Sequence, residues 1–194
     1  GWSATHVNTG RAAFTPWSGY WWPIEGGELI LGYKGHPSPL EKYDLLVDGY
    51  YPGNATLREA ELHPYDDPEV DSWWGYCHAW ANAAVMEAID FIPSVRSGVA
   101  FLVGDKKGLL TLLHTRDTLR SASVDDSPLD FHRYLLDYIG ANQVPIVADI
   151  DNTEEVWSHP IYAYSMEVTE SLSYDDVTCS ITLASDFVTP DYVG

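Results

Sequence analysis

Apolar and polar positions follow two periods along this chain, and the change of period divides it. Up to about Gly140 the apolar residues mostly recur three and four apart, as on helices; beyond it they alternate every second residue, as on strands. Ser38-Pro39-Leu40-Glu41 places Ser at an N-cap, Pro at N1 and Glu at N3. It predicts a helix over Leu40–Val47, with Leu40, Tyr43, Leu45 and Val47 partly inward and Gly49 as its stop. Glu28–Tyr33 reads as a short strand, and Gly49 to Val70 reads as irregular, with Ala60–His63 undetermined. A helix is expected from Cys77 towards Ile89, ended by Pro93. Gly98–Val103 then reads as a strand, and Gly104-Asp105 caps a helix over Lys106–Thr115 with Leu109, Leu110, Leu112 and Leu113 around a buried face. Ser121–Ser127 is a polar loop. Ser127-Pro128-Leu129-Asp130 repeats the capped-helix signature, and Phe131, Tyr134, Leu135, Tyr138 and Ile139 give the helix Leu129–Ile139 an apolar side, with Gly140 ending it.

The remainder is β. Val144–Ala148 is an apolar strand, Asp151–Glu155 a turn, and Val156–Val168 and Asp176–Val188 are long alternating strands, the last with Val177, Cys179, Ile181 and Leu183 on one face. Helices early and antiparallel strands late define an α+β fold. At 194 residues the chain fits a single catalytic domain spanning 1–194. Within it, residues 1–37 form an irregular, aromatic-rich segment packed across the body, its rings more readily explained by packing than by a sugar or peptide groove.

Charge narrows the partners. With 29 acidic and 10 basic residues the net charge is −19, so no basic patch exists to displace counterions and nucleic-acid binding is excluded. Lysine-rich proteins or amines remain as cationic partners, although an acidic surface is explained as simply by solubility. No apolar run approaches the roughly 20 residues of a membrane span. A start at Gly-Trp-Ser resembles a trimmed mature domain, and with the Trp, Tyr and acidic richness it points to a secreted protein. Asn54-Ala55-Thr56 is a glycosylation sequon in that setting. The two cysteines allow one disulfide at most, and no Cys/His cluster suits zinc. No cofactor is implied, and divalent-metal dependence cannot be read from the chain.

The candidate chemistry lies in Trp73-Trp74-Gly75-Tyr76-Cys77-His78-Ala79-Trp80. Cys77 precedes a run of strong helix formers, Ala79 to Ala88, and so stands near a helix N-terminus. Unpaired N–H groups and the helix dipole there favour a thiolate, the nucleophilic form. Trp73, Trp74 and Trp80 are placed to wall such a site and exclude water, with Trp80 on the same helix side as Cys77; core packing explains them equally well.

A thiol nucleophile needs a base, and the base an orienting group. Of the 7 histidines, His78 points away from its neighbour Cys77, and His114 ends an apolar helix. A hairpin centred near Glu154 would set Asp149 opposite His159, within about 5 Å between Cβ atoms. A slip of one residue would substitute Asp151 or spoil the pair. His132, in the first turn of its helix, is the rival base.

Three blocks then resemble the transglutaminase elicitor family, secreted cysteine acyltransferases of oomycetes with bacterial relatives. They are Pro16-Trp17-Ser18-Gly19-Tyr20-Trp21-Trp22-Pro23 leading to Ser38-Pro39-Leu40-Glu41-Lys42-Tyr43; Trp74-Gly75-Tyr76-Cys77-His78-Ala79-Trp80-Ala81; and Asp149 through Glu155-Val156-Trp157-Ser158-His159-Pro160. The resemblance runs over about residues 15–168, and its most specific part surrounds the Cys. It implies a papain-like, transglutaminase-like fold whose nucleophile-bearing helix packs on a C-terminal antiparallel β-sheet. It also implies a Cys/His/Asp site forming a thioester with a glutamine side chain of a protein or peptide, with an amine as acceptor. Cys77 matches the family's nucleophile; the resemblance does not choose between His132 and His159. The chain is short for the family, which leaves cross-linking and simple hydrolysis both open; a papain-like cysteine peptidase or amidase, and an inactive binding or elicitor module on the same fold, are the alternatives.

Overall fold

The computed structural model describes residues 4–117, 127–151, 153–173 and 175–193; most of the polar loop expected at Ser121–Ser127 lies outside them. The order of elements is β1 (Ala4–Arg11), α1 (Glu28–Leu31), α2 (Pro39–Val47), α3 (Asn54–Leu62), α4 (Cys77–Met86), β2 (Ser94–Arg96) and β3 (Val99–Phe101). There follow α5 (Val103–Leu113), α6 (Pro128–Tyr134) with a π-helical continuation over Leu135–Ala141, β4 (Ile146–Asp149), β5 (Ser158–Glu170) and β6 (Asp175–Leu183). The fold is α+β, as the two periodicities predicted.

The 13-residue β5 is the spine of the sheet. Its partners are all antiparallel: β1 along Ala163–Glu170, β4 along Ser158–Ile161, and β6 from Ile161 to Glu170. Because β1 and β6 share the same stretch of β5, they occupy opposite edges. Ile161 faces both Ile146 and Leu183, so β4 lies on the β1 edge. Tyr164, Met166 and Val168 are buried while Ser165 and Glu167 are exposed, the alternation of a sheet with one covered face. The cover is the π-helical stretch, through Leu135 and Ile139.

Helix α4 lies between the two halves of the molecule. Tyr76 and Ala79 join the helical core of Trp22, Leu29, Ile30, Tyr33 and Leu40, while Trp80, Ala81 and Ala84 pack with Ala184, Trp17 and Val147 on the sheet side. A helix buried on several sides needs small side chains if its neighbours are to approach, and the alanine run supplies them. Around it, Ser38 Oγ caps α2 by accepting from Glu41 N at 2.8 Å, as expected. Buried Asp44 caps α3 from α2, its oxygens accepting from Gly53 N at 2.8 Å, Ala55 N at 3.1 Å and Thr56 N at 3.2 Å.

Four expectations are corrected. The N-terminal region is not irregular throughout, because residues 4–11 form β1 against β5. Glu28–Leu31 is a helical turn, not a strand: Ile30 and Leu31 N–H both reach Gly27 O. The region before the Cys contains α3. The cap of α5 is shifted, since Asp105 occupies its first turn and accepts from Leu102 N at 2.5 Å. That carboxylate also takes the buried Lys42 ammonium at 2.5 Å.

Candidate active site

Gly75 and Tyr76 are tied to the aromatic N-terminal segment before the chain turns into α4. Tyr76 N donates to Trp21 O at 2.7 Å and Ile24 N to Trp74 O at 2.9 Å. A Cβ on Gly75 would come within 2.5 Å of the Trp21 ring, so only glycine lets the two segments touch. The first residue of α4 is Cys77, buried at the base of an open cleft of about 310 Å³ lined by Ile24, Trp73, Trp74, Gly75, His78 and Val156.

The thiol is not the low-pKa group that its helix position suggests. Burial raises its pKa, and the charges of Asp186 and Asp149 add to that; hydrogen bonding by the backbone of Ser158 and His78 pulls the other way without prevailing. Sγ donates to Val156 O at 3.4 Å. The resting state is therefore a protonated thiol against a carbonyl, with backbone donors close by. Cys179 is free and exposed on β6, so no disulfide forms.

Strand β5 brings His159 beside α4. The imidazole is buried, its ring edge-on to Trp80 with centroids 6.2 Å apart. Nδ1 lies 3.3 Å from Ala184 O and Nε2 lies 3.8 Å from Asp186 Oδ1. Asp186 is reached because Ala184 N donates to Pro160 O at 2.9 Å, carrying the chain past β6 alongside His159. Its carboxylate is fully buried, and neither oxygen has a hydrogen-bond partner among the described residues. Burial raises its pKa against the opposing pull of His159. A buried carboxylate aimed at an imidazole is the arrangement that orients a catalytic histidine.

Asp149 does not hold that place. The hairpin register pairs Ala148 with His159 and Asp149 with Ser158, one residue off the predicted pairing. Alternate strand residues point to opposite faces, so Asp149 is turned from the imidazole. Its Oδ1 instead accepts from Asp151 N and Trp157 N, both at 3.1 Å, and Asp151 Oδ1 accepts from Thr153 N at 2.7 Å. Both aspartates close the turn. His132 lies on α6, and no hydrogen bond, ion pair or ring contact joins it to Cys77, His159 or Asp186 among the described residues. Trp74 is 41% exposed at the cleft mouth, whereas Trp80 is fully buried behind His159. Trp74 lines the cleft and Trp80 does not.

Asp186 was missed because its link to His159 passes through β5–β6 pairing, a contact between distant positions. The visible signal is an acidic residue just past the last long strand, within Ala184-Ser185-Asp186-Phe187. A second polar group was also missed. Tyr76 Oη lies 2.8 Å from His63 Nδ1 and donates to Glu59, whose Oε1 is 3.1 Å from His63 Nδ1. This trio anchors the residue that precedes the thiol. Among the described residues, no group of three or more His, Cys, Asp or Glu is placed to hold a metal ion, and no helix is long and apolar enough to cross a membrane.

A buried helix opening on Cys, packed on an antiparallel sheet that carries His, defines a transglutaminase-like α+β fold. Among solved structures, the chain is similar to the GP42 transglutaminase from Phytophthora sojae, with a TM-score of 0.72 and 21% identity over 81% of this chain and 55% of that one. It spans about half the length of that protein. No protein-family model and no curated protein matches the sequence. The likeness establishes the fold and is the one implied by the Cys77 block.

Proposed function

We propose that the protein is a cysteine acyltransferase of transglutaminase type, with Cys77 as nucleophile, His159 as general base and acid, and Asp186 as the group that orients His159. The observation that carries this reading is a buried, otherwise unpartnered carboxylate, Asp186, set 3.8 Å from the His159 imidazole on the strand that packs against the helix opening on Cys77. In the reaction the imidazole proton sits on Nε2, facing Asp186, and Nδ1, unprotonated in that tautomer, leaves Ala184 O and accepts the proton of Sγ. The thiolate attacks a glutamine γ-carboxamide, and His159 returns the proton to the departing ammonia. An amine then attacks the thioester and restores the thiol. Backbone N–H groups of Ser158 and His78, which hydrogen-bond the thiol, would stabilise the charge on sulfur and then on the oxyanion.

The test is incorporation of a fluorescent primary amine into a glutamine-containing protein by the parent and by Cys77→Ala. Labelling confined to the parent supports the assignment, and equal labelling overturns it. A second reading, cysteine amidase or peptidase, is favoured by the openness of the cleft at exposed Trp74, which admits water as the acceptor. Ammonia release without amine incorporation would select amidase; cleavage of the donor chain would select peptidase. We further propose that the chain acts outside the cell, on the ground of its acidic, aromatic-rich composition.

A further inference from the structure

The walls of the cleft over Cys77 offer few hydrogen-bond acceptors. The side chains of Ile24 and Val156 offer none, and the indoles of Trp73 and Trp74 only donate. The carbonyl of Val156 already receives the thiol, that of Trp74 receives Ile24 N–H, and that of Tyr76 receives Trp80 N–H inside α4. Besides the thiol, the one lining side chain left is His78, the second residue of α4. Neighbours on a helix point apart, so its ring is directed away from Sγ, and it stands exposed in the cleft wall.

The imidazole is held in its neutral form. Partial burial lowers its pKa, and the charge of His63 at the end of α3 lowers it further. His63 is itself fixed, with Nδ1 2.8 Å from Tyr76 Oη and 3.1 Å from Glu59 Oε1. His63, Glu59, Tyr76 and the Cys77 thiol are thus the titratable groups around the ring. A neutral imidazole carries one N–H donor and one acceptor nitrogen. A peptide lying along these walls brings a main-chain N–H at every residue, and an amide N–H taken out of water without an acceptor is costly. The acceptor that the rest of the lining lacks is the one that neutral His78 supplies.

We propose that His78 holds the main chain of the acyl donor, its unprotonated ring nitrogen accepting the amide N–H of a residue beside the reacting glutamine. That the peptide carries glutamine rests on the acyl-transfer reading; the competition of peptide and proton for one ring nitrogen does not. Binding is full above the ring's pKa and is lost as pH falls through it, below the 6.5 of an ordinary histidine. By reciprocity the bound peptide moves that pKa down.

The experiment titrates the neutral peptide acetyl-leucyl-glutaminyl-glycinamide into the Cys77→Ala protein, followed by tryptophan fluorescence and by NMR of the His78 ring. Saturable binding is expected near about pH 7.5, weakening several-fold toward about pH 5, with the midpoint of the ring's titration lowered by saturating peptide. Adding His78→Phe keeps an aromatic ring and removes the acceptor, so binding should be roughly tenfold weaker and flat with pH. His78→Asn supplies an acceptor that does not titrate; it should restore most of the affinity and also be flat with pH. With Cys77 intact, His78→Phe should raise KM and leave kcat within about twofold. No saturable binding, equal affinity of folded His78→Phe, or a ring titration that the peptide does not move would overturn the proposal. The expected binding pattern in a protein that, with Cys77 intact, never acts on the glutamine overturns the acyl-transfer reading alone.

Discussion

His159 and Asp186 meet at 3.8 Å inside the protein, one from the start of β5 and the other from just past the end of β6. The pair makes the orientation of the imidazole depend on the sheet.

Asp186→Asn should keep the shape of the site and lose the charge that holds the imidazole. Amine incorporation is expected to fall by roughly 10²–10⁴-fold in kcat, the range seen when a catalytic histidine loses its orienting carboxylate. Asp149→Asn, which alters the turn and removes the weaker of the two carboxylate charges acting on Cys77, should leave kcat within about threefold. Steady-state rates of both variants check this, and the reverse ranking would return the role to Asp149.

The raised pKa of Cys77 has two consequences that can be measured. Burial raises the pKa of both thiols, but Cys77 is buried and Cys179 exposed, so alkylation of Cys77 by iodoacetamide in the resting protein should be slower near neutral pH than that of Cys179. In the native state the group holds its proton at pH values where the unfolded chain has lost it. Stability contributed by Cys77 is therefore full below the unfolded thiol pKa and declines as pH rises through and beyond it. Comparing urea midpoints of parent and Cys77→Ala from pH 7 to 10 tests the sign: the parent should lose ground to the variant.

Lys107 behaves in the opposite sense. Burial lowers its pKa to about 8, with Asp191 opposing the shift. Between that value and the ordinary lysine range the unfolded chain binds the extra proton, so the penalty for burying the ammonium is full below about pH 8 and fades above it. Relative to Lys107→Met, the parent should therefore gain stability from pH 7 to 10, as read from chemical denaturation.

Gly19→Ala should injure both fold and site. A Cβ there would run into the Trp80 indole, which is fully buried between Trp17 and His159. Overpacking of this kind costs about 1–3 kcal/mol. Urea unfolding should show that loss, and kcat should fall as Trp80 is pushed toward the imidazole. A stable variant with reduced kcat would locate the effect in the site alone.

How much of this could be read from the sequence depended on how local each signal was. Ser38-Pro39-Leu40-Glu41 announced α2 because a cap and its helix lie within four residues. Cys77 at the start of α4 was legible for the same reason, through the helix formers that follow it. β1 was not, since Ala4–Arg11 becomes a strand only by pairing with β5 more than a hundred residues away. The Asp149–His159 pairing failed by a single residue of register, which the turn geometry sets and the alternating pattern leaves open. The thiol's pKa was misjudged in direction because the helix start is visible in the chain, whereas the burial that outweighs it is a property of the packed fold.

The surroundings of Cys77 are assembled from residues 18–24, 73–80, 156–159 and 184–187. As the chain leaves the ribosome these arrive in that order, and Asp186 comes last. Until it has emerged and β6 has zipped onto β5, His159 lacks its carboxylate partner. The thiol is then an ordinary cysteine on a nascent chain. Any reactivity that depends on the pair is thus deferred until β6 has paired with β5.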